Sequence, residues 1–112
     1  MKKISKEEVI KKLLKYEKDG CVVDIESISY FGNKQTGSDW FIIQDGLDDE
    51  LIYFQSPCGL EFEEDISIKD YEDFEIENGD LIMRTSKKYI PQMVRVSIVK
   101  HTTKRIKLVR FV

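Results

Sequence analysis

Carboxylates dominate the chemistry available to this sequence. Glu61, Glu63, Glu64, Asp65, Asp70, Glu72, Asp73, Glu75 and Glu77 fall within seventeen residues, relieved only by Lys69. Carboxylates spaced along a rigid surface can imitate a phosphate backbone, and a field of one sign steers a basic partner toward it. The first eight, Glu61 through Glu75, form the candidate partner-binding face. The plainer account is that they solubilise a sheet edge and pair with bases elsewhere in the chain.

Those bases exist. Asp45–Asp80 carries fourteen acids against one base, whereas Leu81–Val112 carries nine Lys/Arg and no acid. Arg95, Lys100, Lys104, Arg105 and Lys107 could contact phosphates, with Tyr89 and Phe111 stacking on bases where exposed. That nucleic-acid reading is the alternative. Against it stand a sequence pI of about 5.2 and the common use of hairpin lysines to protect sheet edges. Both readings hold together if the basic face of one copy meets the acidic face of another.

Other chemistries find less support. His101 is the only histidine, and it falls in a predicted turn. Cys58 could serve as a nucleophile beside it, but nothing in the spacing brings the two together. Asp45, Asp48, Asp49 and Glu50 crowd one turn, and such turns can hold Ca²⁺, yet the spacing is not that of an EF-hand loop. Gly32, Gly37 and Gly46 form neither a P-loop nor a dinucleotide fingerprint. The expectation is a protein without catalytic residues, metal or cofactor.

The elements that must position these groups begin with a helix over Ile4–Asp19. Ser5 caps it with Glu8 three residues on, and Ile4 and Val9 occupy the staple positions. Val9, Ile10, Leu13 and Leu14 make its apolar stripe, and Gly20 ends it. A strand follows over Cys21–Phe31. Its apolar phase changes after Ile25, which predicts a bulge near Ser27. Gly32–Ser38 reads as a loop. Trp40–Gln44 reads as a strand covered on both faces, Asp45–Glu50 as a turn and Leu51–Gln55 as a third strand, together an antiparallel meander.

Glu61–Asp73 fits neither period, and a short strand followed by a turn is the expectation. Asn78-Gly79 between alternating runs marks a type I′ hairpin pairing Glu77 with Asp80, Ile76 with Leu81 and Phe74 with Met83. Thr85–Gln92 connects to a second hairpin, Met93–Lys100 with Lys104–Phe111, in which Ile98 meets Ile106 and Val96 meets Leu108.

The 112 residues suit a single domain that buries enough surface to need no disulfide or metal. One helix and about seven strands predict an α+β fold, the helix packed on a curved antiparallel sheet, as a small barrel or roll. The charged start of the chain does not read as a secretion signal, and no apolar run reaches the length of a membrane span. The two cysteines are then expected to stay reduced in the cytoplasm. The chain contains no alanine, fourteen Ile and fourteen Lys, a usage that fits an AT-rich genome such as that of a low-GC bacterium or its phage. The leading expectation is a non-catalytic protein-binding module, an inhibitor presenting an acidic, nucleic-acid-mimicking face to a basic partner such as a defence nuclease. No membrane partner is expected.

Overall fold

In the computed structural model, the structure describes residues 2–44, 51–57 and 65–99. The helix forms as expected. α1 runs Lys6–Lys18, and the Glu8 N–H donates to Ser5 Oγ at 3.2 Å. It ends in a Schellman arrangement: Gly20 adopts φ +76°, its N–H donates to Glu17 O, and the Cys21 N–H donates to Tyr16 O. Val9 and Leu13 are buried against the sheet, with Ile10 and Leu14 half-buried beside them.

Eight strands are present among the described residues: β1 Lys2–Lys3, β2 Val22–Ile28, β3 Lys34–Gln44, β4 Ile52–Gln55, β5 Ile66–Ser67, β6 Asp73–Glu77, β7 Asp80–Arg84 and β8 Met93–Val99. They form one antiparallel sheet in the order β1-β6-β7-β8-β2-β3-β4-β5. β1, which the sequence analysis did not expect, lays Lys2 and Lys3 along the acidic strand β6. The sheet does not close into a barrel: β1 and β5 are its two edges among the described residues.

It is nonetheless strongly curved. Six strand spacings separate β5 from β6 in the sheet order, about 29 Å if flat. The chain from Ser67 to Asp73 spans at most about 20 Å when extended. The sheet must therefore curl, and the 3₁₀ turn Ile68–Asp70 with Tyr71 crosses between its ends. The core gathers inside that curl, from Val23, Ile25, Trp40, Ile42, Ile52, Phe54, Ile68, Phe74, Met83, Val94 and Val96 with the helix stripe.

The Asn78-Gly79 hairpin has the expected register, with φ +52° and +84° at its two turn residues. Phe74, Leu81 and Met83 are buried on the core face. Glu75 and Ile82, opposite each other on the outer face, are buried too. Glu75 lies 3.2 Å from Arg84 and 3.8 Å from Lys3. Since Arg84 is partly solvated, Arg84→Met is expected to lower stability by only about 1 kcal/mol. Urea unfolding of the two proteins measures it, and a loss several times larger would show that solvent does not screen this pair.

Four expectations are corrected. β2 keeps its alternation through Ser27, which is buried on the same face as Val23 and Ile25. The bulge lies instead opposite Asp24, where β3 carries the extra residue. Gly32–Ser38 is not all loop. The turn is confined to Ser29–Asn33, and Lys34–Ser38 extend β3 as exposed polar strand. β3 is covered on one face only, as Phe41 is 43% exposed. Finally, β8 lies between two strands, with Val96 paired to Leu81 on one side and to Ile25 on the other. No edge of Val96 is left for Leu108; the second arm of that expected hairpin lies outside the described residues.

Candidate functional site

The bulge in β3 helps build a concave site among the described residues. Residues three apart on a regular strand point to opposite faces. The extra residue in Ser38–Asp39 changes that, because Gly37 pairs with Ile25 and Trp40 pairs with Val23, all on the core face. Asp39 takes the left-handed conformation, φ +61°, and its N–H donates to Asp24 Oδ1 at 3.2 Å. The Trp40 indole can then lie across Gly37. A Cβ there would overlap Nε1 and stand 2.8 Å from Cε2, so glycine is required by the close approach.

Opposite Trp40 runs the crossing segment. Tyr71 is buried, and its hydroxyl donates to Pro91 O at 2.8 Å, tying the crossing to the 85–92 connection. Between them lies a cleft of about 550 Å³, lined by Ile25, Ser27, Gly37, Trp40, Ile66, Tyr71, Ile90 and Pro91 with polar Gln35, Thr36 and Ser67. Asp65 and Asp70 supply its charge. This explains Ser27: a buried hydroxyl is tolerated where the strand faces a cleft rather than packed side chains. The volume lies in the ordinary range of ligand sites.

Burial, and secondarily the nearby charge of Asp70, raises the Tyr71 phenol pKa far above its ordinary value. The unfolded chain ionises this phenol near about pH 10, whereas the folded chain resists. Its contribution to stability is complete below that pH and is lost as pH rises above it. Tyr71→Phe should cost about 1 kcal/mol at neutral pH through the lost hydrogen bond. The gap to the wild type should narrow above about pH 10. Urea midpoints at the two pH values test this; a gap that widens at alkaline pH contradicts it.

The predicted acids disperse. Asp65 and Asp70 come together at the cleft. Asp65 is exposed and makes no ion pair among the described residues, while Asp70 lies 3.3 Å from Lys87 Nζ. Glu72 accepts from the hydroxyls of Thr85 and Ser86, both at 3.3 Å, and so holds the connection. Asp73 and Glu75 share Lys3, each at 3.8 Å. Arg95 bridges Asp80 at 3.0 Å and Glu77 at 3.5 Å, and its guanidinium pKa is raised chiefly by the hydrogen bond to Asp80. Glu61, Glu63, Glu64, Lys100, Lys104, Arg105 and Lys107 lie outside the described residues, as do Cys58 and His101.

Sequence reasoning missed Trp40, Tyr71 and Ser27 as site residues. The available signal was Gly37, since an isolated glycine inside a strand marks a bulge or a close backbone approach. Reading Gly32–Ser38 as a loop concealed it. Among the described residues, no helix is long and apolar enough to cross a membrane. Comparison with known proteins returned no match to any family model, curated protein or solved structure.

Proposed function

We propose that the chain is a non-catalytic protein-binding module, an inhibitor that takes a basic partner such as a nuclease on an acidic surface anchored at the cleft. One observation carries this reading: Asp65 and Asp70 line a cleft that also contains Trp40 and Tyr71. Carboxylates beside an indole suit an arginine or lysine side chain, which gains both ion pairing and a cation–π contact. Glu61, Glu63 and Glu64 precede Asp65 in the sequence and add to the negative charge of the chain that would steer a base. The other described acids contribute to that field, although Lys3 and Arg84 offset Asp73 and Glu75 and Arg95 offsets Glu77, and within the cleft Lys87 offsets part of the charge of Asp70.

The test is a titration with a hexa-arginine peptide followed by the emission of Trp40, the only tryptophan. A saturable change that weakens with added salt is the expected result. Unchanged emission at low salt, with no binding by calorimetry, contradicts the reading. A second reading, nucleic-acid binding through the basic terminal segment, is favoured by Tyr89, which is 80% exposed and free to stack on a base. It is weakened at Arg95, whose guanidinium is held by two carboxylates.

A further inference from the structure

Beside the acidic cleft stands a corner of opposite character. Phe31 and Tyr89 are almost fully exposed, and Tyr30 nearly half so. Tyr30 and Phe31 meet edge-to-face with centroids 5.3 Å apart, and Lys88 Nζ sits 5.2 Å from the Tyr30 ring centroid. Phe31 occupies the turn between β2 and β3, and Lys88 and Tyr89 belong to the 85–92 connection. Ser27, Gln35, Ile90 and Pro91 line both this corner and the cleft, so the two lie side by side.

We propose that this corner is a self-association surface, with Phe31 and Lys88 of one copy seated in the acidic cleft of a second copy, reciprocally. The chemistry is complementary. The corner offers an exposed ring and an ammonium, and the cleft offers an indole, apolar walls and two carboxylates. Lys88 makes no ion pair among the described residues, whereas Lys87 beside it already holds Asp70. Adjacency decides the symmetry. When projection and recess share one side of a molecule, a single two-fold axis can seat both pairs at once and closes the assembly at two copies. Exposed aromatic rings are also a residue type enriched at interfaces.

The inference rests on the same cleft chemistry as the proposed function, and it adds regulation. Lys88 of a second copy occupies the place of the partner's base, so self-association and partner binding compete.

Sedimentation equilibrium of the full chain across the micromolar range tests this. The wild type should show a monomer–dimer equilibrium. Phe31→Asp should weaken it by at least about a hundredfold, as loss of a central aromatic anchor does. Its circular dichroism should stay unchanged, as should its thermal midpoint at concentrations where the wild type is monomeric, because the side chain is solvated in the monomer. Lys88→Glu should weaken the dimer about tenfold through repulsion from the cleft carboxylates. Combining Lys88→Glu with Asp65→Lys should restore it, a rescue that loss of the Lys88–Tyr30 contact could not produce. A chain that is monomeric throughout, or a dimer indifferent to Phe31→Asp, overturns the proposal. Failure of the partner reading shows separately, as a hexa-arginine peptide that does not bind even the monomeric Phe31→Asp variant.

Discussion

Gly37→Ala is expected to cost about 3 kcal/mol of stability, near the upper end for forcing one extra carbon into a packed site. The new Cβ would fall on the Trp40 ring, inside contact distance of Cε2. The ring is rigid and mostly buried, so relief must come from moving the indole or the β2–β3 pairing. Moving the indole pushes it into the cleft and removes the space a partner would use. Peptide binding should therefore be lost along with stability. A double-mutant cycle isolates the cause. Trp40→Leu removes the obstructing ring, at its own cost in burial. In that background Gly37→Ala should be nearly neutral, because alanine also restricts the unfolded chain more than glycine does. Equal losses in both backgrounds, read by urea unfolding, would show that the indole is not the reason for the glycine.

Asp65→Lys combined with Asp70→Asn is expected to weaken hexa-arginine binding by at least about a hundredfold. Each lost charge-assisted contact is worth about 1.5–3 kcal/mol, and reversal at Asp65 adds repulsion. The fold should tolerate both changes, since Asp65 is exposed and the Asp70–Lys87 pair is partly solvated. The informative control is Glu72→Gln with Asp73→Asn. These neutralise two acids of the same segment, as Asp65→Asn with Asp70→Asn would, but at residues that do not line the cleft. They should change affinity by about twofold, the scale of a screened long-range effect. If this control loses as much affinity as the cleft pair allows before reversal, binding is spread along the acidic segment and the cleft is not the anchor. Asp65→Asn with Asp70→Asn provides that neutralisation-only reference.

The features legible in the sequence are those set by neighbouring residues. Ser5 and Gly20 delimit the helix through hydrogen bonds reaching no further than one turn. Asn78-Gly79 sets the β6–β7 register because only a left-handed turn closes two such strands. The sheet order was not legible, because it is decided by pairing between distant strands. β8 inserts between β7 and β2, the second of which lies far from it in sequence. Lys3 meets Asp73 and Glu75 across some seventy residues, so no local charge count could reveal the neutralisation.

The cleft was hidden for the same reason. Trp40 reads as one more apolar strand residue until the bulge at Ser38–Asp39 turns it onto the face of Gly37. Its other wall, Tyr71 and Pro91, arrives from segments distant in sequence, the Tyr71 hydroxyl donating to a carbonyl twenty residues on. Of the eight acids singled out in the sequence, two line the cleft, three are held elsewhere by cations or hydroxyls, and the rest lie outside the described residues. Charge pattern alone does not distinguish an acid that holds the fold together from one that faces a cleft.

On the proposed function, the acidic cleft rather than the basic terminal segment is the binding surface. Parallel anisotropy titrations with labelled hexa-arginine and with a labelled single-stranded oligonucleotide, each at low and physiological salt, test it most directly. Saturable peptide binding that weakens with salt and is lost in the Asp65→Lys, Asp70→Asn variant is the expected result, with no oligonucleotide binding. Saturable oligonucleotide binding without peptide binding would contradict it.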